Sequence, residues 1–87
     1  MQADAQKVSR LIKTAKGQLD GILKMIEEDR YCIDISNQLL ATQALLRKAN
    51  HEVLHAHMAG CVKEAVTSGN PDEKIEEMLN LVDKMIK

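Results

Sequence analysis

Cys32, His57 and Cys61 are the residues of this chain best suited to chemistry, and their spacing restricts how they can act together. Thiolates and imidazoles ligate soft or borderline metals, and two thiolates with one imidazole suit Cu(I) or Zn(II). All three residues fall within a stretch that reads as one long helix. At about 100° per residue they share a stripe roughly 40° wide. A rise of ~1.5 Å per residue nevertheless puts Cys32 roughly 37 Å from His57, and further still from Cys61. Metal–ligand bonds are only ~2.0–2.3 Å long. His57 and Cys61, one turn apart, point the same way and can chelate together. Cys32 can join them only from a second chain running antiparallel. The spacing therefore predicts a dimer whose sensor or metal site is shared between subunits. The alternative is a pair of buried structural cysteines, since small helical cores often bury Cys.

Other candidate residues read more simply. His51 and His55 form an i, i+4 pair roughly 120–160° around the helix from His57, and are read as surface or helix-packing histidines. Met1, Met25, Met58, Met78 and Met85 are read as core filling. The sequence holds no Gly-rich phosphate loop, no nucleophile–base array and no paired catalytic carboxylates, so it is not read as an enzyme.

These residues must be positioned by helices. The chain has no Trp or Phe, a single Tyr and one Pro, so Leu, Ile, Met, Val and Ala must form its core. That mix favours helix over strand. The first helix is predicted over about 4–28, from the amphipathic spacing of Val8, Leu11, Ile12, Ala15, Leu19, Ile22, Leu23 and Ile26. Gly17 and Gly21 offer small surfaces for close helix packing. Asp29 is the expected N-cap of a second helix over about 31–66. Apolar residues occur nearly all round that helix: Ile33, Ile35, Leu39, Leu40, Leu45, Leu46, Val53, Leu54, Met58 and Val62. It must be covered on several sides, and oligomerisation is the physical remedy. An antiparallel pair matching Cys32 to the His57/Cys61 turn has its two-fold axis near Leu45 and Leu46. Asn70 is the expected N-cap of a third helix with Pro71 at its first position. Ile75, Met78, Leu79, Val82 and Ile86 are expected to form its buried stripe. The expected fold is all-α, a single domain over 1–87 with a long central helix.

The chain of 87 residues carries a net charge of −1, which argues against a strongly basic nucleic-acid footprint. The charge is unevenly spread. Residues 1–24 carry Lys7, Arg10, Lys13, Lys16 and Lys24 against Asp4 and Asp20, a local charge of +3. The polar start MQADAQK lacks a signal-peptide apolar region, and no apolar run reaches the ~18–20 residues that span a bilayer. A cytoplasmic location with no membrane partner is expected, where thiols stay reduced and serve metal or redox roles.

The run Arg10-Leu11…Gly17-Gln18-Leu19-Asp20-Gly21-Ile22…Met25-Ile26-Glu27-Glu28-Asp29-Arg30-Tyr31-Cys32, followed by Gln38-Leu39, closely resembles the copper-sensitive operon repressor family. The likeness covers nearly the whole chain, and His57-x-x-x-Cys61 falls where that family puts its remaining ligands. The resemblance implies a three-helix protomer, an antiparallel dimer and a tetramer of two dimers. It also implies that the apo tetramer binds operator double-stranded DNA and releases it when the inducer binds. By the resemblance, Cys32, His57 and Cys61 ligate Cu(I), and Tyr31 and Glu77 stand beside the copper-bound histidine. Arg10 and the Arg47/Lys48 pair fall near family positions implicated in DNA contact. With Lys13 they form the expected phosphate-contacting set. Where many members read R-x-E-G-Q, this chain has Thr14-Ala15-Lys16-Gly17-Gln18. His57 together with Tyr31 favours Cu(I) among the family's inducers. Two rival readings remain: a persulfide-sensing repressor using the Cys32/Cys61 dithiol, and a copper-buffering helical protein without a DNA target.

Overall fold

In a computed structural model the chain folds into α1 (Ala5–Glu27), α2 (Cys32–Ser68) and α3 (Pro71–Ile86). The structure describes residues 1–69 and 71–86, with the backbone alone for Ser68, Met85 and Ile86. The Asn70 cap lies outside the described residues, and so do the side chains of Met85 and Ile86. No strand occurs among the described residues, in keeping with the expected all-α class and long central helix.

Local chemistry explains where the helices begin and end. The Asp4 carboxylate accepts from the backbone N–H groups of Gln6 (3.0 Å) and Lys7 (3.2 Å), capping α1. Asp29 does not cap α2 as expected. It ends α1 instead, in the left-handed region at φ 52°. Its N–H donates to the Ile26 carbonyl (3.1 Å), and the Arg30 N–H donates to the Met25 carbonyl (3.0 Å). This paired pattern satisfies the last carbonyls of a helix, and a short polar side chain tolerates the conformation better than most. Tyr31 occupies the N-cap of α2 and makes no side-chain capping bond. Gly69, at φ 74°, closes α2. Pro71 then opens α3, with Asp72 and Glu73 in its first turn.

Helices α1 and α2 pack antiparallel through two polar ties in one register. Buried Thr42 lies 2.9 Å from Gln18 Oε1 and 3.0 Å from the Gln38 carbonyl. Its single hydroxyl proton can serve only one of these acceptors at a time. Further along, Lys7 Nζ meets Glu52 Oε1 at 3.0 Å. The hydrogen bond from Lys7 is the main reason the Glu52 carboxyl titrates below its ordinary range. Ala15, Ile22 and Ala49 are buried between the two helices. Gly17 and Gly21 do not serve close packing inside the protomer, because an added Cβ at either would have no neighbour within 4 Å.

Thr42→Val keeps the side-chain shape while removing the hydroxyl that donates to Gln18 Oε1. It should cost about 1 kcal/mol of stability. Urea unfolding at fixed protein concentration measures the loss, because subunit association contributes to apparent stability. An unchanged midpoint would show that the tie contributes nothing.

The protomer leaves much of its apolar surface uncovered. Its radius of gyration is 17.7 Å and its long axis 59 Å, whereas a compact chain of this length has a radius of about 12 Å. Leu19, Leu23 and Ile26 on α1 are exposed, as are Leu39, Leu40 and Leu46 on α2. Ile75, Leu79 and Val82, expected as the buried stripe of α3, are exposed too, while Met78 is half-buried. Met1 is exposed rather than core-filling, and Met25 and Met58 are half-buried. The reason is geometric. A helix of 37 residues that is apolar nearly all round has more perimeter than one helix on each flank can cover. No helix among the described residues is long and apolar enough to cross a membrane.

Candidate metal centre

The α2–α3 turn folds α3 back along the end of α2 and brings three potential ligands together. Donor atoms of His57, Cys61 and Glu77 all lie within 4.8 Å of one another. His57 and Cys61 are one turn apart on α2, as the helical spacing requires. Glu77 comes from α3, and its Oε1 lies 2.8 Å from His57 Nε2. The hydrogen bond from His57 is the largest influence holding the Glu77 carboxyl below its ordinary range. An ionised carboxylate can only accept, so Nε2 carries the proton. In the neutral ring Nδ1 keeps its lone pair and is the nitrogen available to a metal.

Cys61 is buried and makes no disulfide. Burial is the main cause that raises its thiol pKa, and the nearby Glu77 carboxylate adds to it. Glu77 thus favours the protonated thiol in the same cluster where it holds the imidazole. A bound cation reverses that preference, because metal binding requires the thiolate and releases its proton.

Sequence reasoning did not find how Glu77 is held. Lys74 Nζ lies 2.7 Å from Glu64 Oε2 on α2 and 3.8 Å from Glu77 Oε2. Both pairings raise the Lys74 pKa, Glu64 first. The chain Glu64–Lys74–Glu77–His57 therefore fastens α3 across α2. Its one sequence signal is the i, i+3 spacing of Lys74 and Glu77. The crossing to Glu64 depends on the α2–α3 turn and is not visible in spacing.

Cys32 stands apart from this cluster. It is the first residue of α2 and is exposed, with exposed Tyr31 just before it. The helix rise keeps both tens of ångströms from His57 of the same chain. The structure therefore unites His57, Cys61 and Glu77, and leaves Cys32 and Tyr31 at the opposite end of α2.

Arg10, Lys13, Arg47 and Lys48 are all exposed. Arg10 and Lys13 border a shallow depression on α1 with Ser9, and Arg47 and Lys48 border another on α2 with Asn50 and His51. The register set by Gln18–Thr42 and Lys7–Glu52 puts these two basic pairs at the same level of the antiparallel helices.

Comparison with known proteins adds an independent finding. A family model described as metal-sensitive transcriptional repressor matches residues 4–84. The copper-sensing transcriptional repressor CsoR of Mycobacterium ulcerans (strain Agy99) is 44% identical over 71 residues. That match covers 82% of this chain, which spans only 61% of the relative's length. Two solved structures share the fold. The nickel-responsive transcriptional regulator InrS has a TM-score of 0.88 at 25% identity, covering 98% of this chain and 96% of that one. The copper-sensing repressor CsoR with Cu(I) from Geobacillus thermodenitrificans NG80-2 has a TM-score of 0.82 at 33% identity. It covers 94% of this chain and 85% of its own.

Proposed function

The chain belongs to the metal-sensitive transcriptional repressor family, and from that premise we propose that it is a cytoplasmic, Cu(I)-responsive repressor working as a dimer of dimers. One observation carries the reading. The His57 imidazole lies within 4.8 Å of the Cys61 sulfur while its Nε2 is engaged by Glu77, and the same α2 stripe carries Cys32 at its far end. Cys32 of the partner subunit, aligned antiparallel, completes a donor set of two thiolates and one imidazole, which suits Cu(I). Tyr31 of the partner subunit arrives beside it. The exposed apolar residues of α1, α2 and α3 are the surface that such an assembly covers. The Geobacillus relative with Cu(I) supports the choice of metal. The family's regulatory character favours a DNA-binding role over catalysis or copper buffering.

Control of DNA binding rests on differential affinity. Cu(I) favours the state that binds operator poorly, and by linkage operator DNA weakens Cu(I) binding by the same factor. His57 is the residue that can report occupancy, since Nε2 is tied to Glu77 on α3 and the other ring nitrogen is left for the metal. Operator binding titrated in parallel with Cu(I), Zn(II), Ni(II) and a persulfide donor tests the reading. Cu(I) should release DNA at about one equivalent per chain, with the others weaker. Release by the persulfide donor with Cu(I) silent would replace metal sensing by a thiol switch.

Arg10, Lys13, Arg47 and Lys48 are proposed to contact phosphate. Arg47→Ala/Lys48→Ala should weaken operator binding and lower the magnitude of its logarithmic salt slope by about 1.8, for two lost contacts. Cu(I) affinity in the DNA-free protein should hardly change. Fluorescence anisotropy across a salt series measures both, and an unaltered slope would place the footprint elsewhere.

A further inference from the structure

A second pair of metal-binding side chains lies outside the sensor cluster. His51 and His55 are one turn apart on α2 and both are exposed. Their rings are nearly parallel, at 17°, with centroids 5.8 Å apart. Glu52, next to His51 in the chain, has its carboxylate 3.0 Å from Lys7 Nζ and feels the charge of both imidazoles. The pair points roughly 120–160° away from His57 around the helix, so it is independent of the site shared with Cys61 and Glu77.

We infer that His51 and His55 form a surface chelate for a divalent first-row transition ion, distinct from the Cu(I) site. Neutral imidazoles at i and i+4 on a helix can present two nitrogens to one ion, at Zn–N distances of about 2.0–2.1 Å. Nitrogen-only ligation suits Ni(II), Zn(II) and Cu(II) rather than the thiolate-seeking Cu(I). The rigid helix holds the rings side by side before the ion arrives, so little side-chain freedom is lost on binding. The remaining coordination positions are open to water. Two parallel rings can also stack with no ion at all, and that alternative predicts no metal dependence at these residues.

Ni(II) is the probe, since it does not oxidise the cysteines as Cu(II) would. The assembled, reduced apo protein is titrated with Ni(II) under anaerobic conditions while backbone amide and imidazole NMR signals are followed. Equilibrium dialysis counts the bound ions. Paramagnetic broadening should centre on residues 51–55, separately from any broadening near Cys61. His51→Asn and His55→Asn, each checked for unchanged helicity and assembly, should each remove the broadening at 51–55 and one Ni(II) per chain. Both should leave broadening near Cys61 as in the wild type. Ni(II) stoichiometry unchanged in both variants, or broadening confined to the Cys61 cluster, would overturn the inference. The readout is resolved by residue and does not depend on DNA or Cu(I), so failure of the repressor reading would leave this result distinguishable.

Discussion

A heterodimer of one Cys32→Ala chain with one Cys61→Ala chain should bind Cu(I) tightly at one of its two sites, although neither homodimer holds a tight site. The expectation follows from the length of α2. Cys32 opens that helix and Cys61 lies near its far end, so the two thiols of one chain cannot meet on one ion. In the mixed dimer, Cys32 from the Cys61→Ala chain meets His57 and Cys61 of the Cys32→Ala chain, and that site is whole. The other site lacks both thiolates. Anaerobic Cu(I) titration against a competing chelator, on heterodimers purified through two affinity tags, should show half the wild-type tight capacity. Absence of any tight site in verified heterodimers would sink the shared-site geometry. A Cys32→Ala homodimer that kept the full tight capacity would instead make His57, Cys61 and Glu77 of a single chain the whole site.

The sequence carried the features that depend on helical period and lost those that depend on how helices meet. The extent of α2 was legible because no Pro interrupts it, and the His57/Cys61 juxtaposition follows from one turn of helix. Asp29 was misjudged for a physical reason: a short polar residue between two helices suits an N-cap or a left-handed C-terminal closure, and composition does not separate them. The α3 stripe of Ile75, Leu79 and Val82 is apolar as expected, yet it is exposed in the single protomer rather than buried. Periodicity reports which face avoids water, and does not say whether the cover comes from the same chain. Gln18 drew notice only as part of a family-like run, yet its amide oxygen accepts from buried Thr42. A Thr within the crowded apolar stretch of α2 was the available signal. Glu77 came only through resemblance, because its meeting with His57 is set by the α2–α3 turn.

Replacing His57 should separate copper binding from copper response. His57→Ala leaves the Cys61 thiol and Cys32 of the partner subunit, and two thiolates remain good ligands for soft Cu(I). Substantial copper binding should therefore survive. The imidazole also joins the ligand turn of α2 to α3, through Nε2 and Glu77 Oε1 at 2.8 Å. Ligating histidines commonly donate their second N–H to a carboxylate, and loss of that partner alters function while the ligands stay in place. His57→Ala should thus lose most copper-driven DNA release. Glu77→Ala should show a milder form, with all three ligands present and the coupling reduced. Lys74→Met, which frees Glu77 Oε2 and unfastens Glu64, should fall between Glu77→Ala and wild type. The measurement is operator affinity of apo and copper-saturated protein for each variant, with occupancy checked independently. Coupling is the ratio of those two affinities, and typical allosteric couplings amount to about 1–3 kcal/mol. A fully loaded His57→Ala protein that leaves DNA as readily as wild type would remove the imidazole–carboxylate link from the mechanism. The switch would then reside in the two thiols, and chemistry directed at sulfur alone would be enough to drive it.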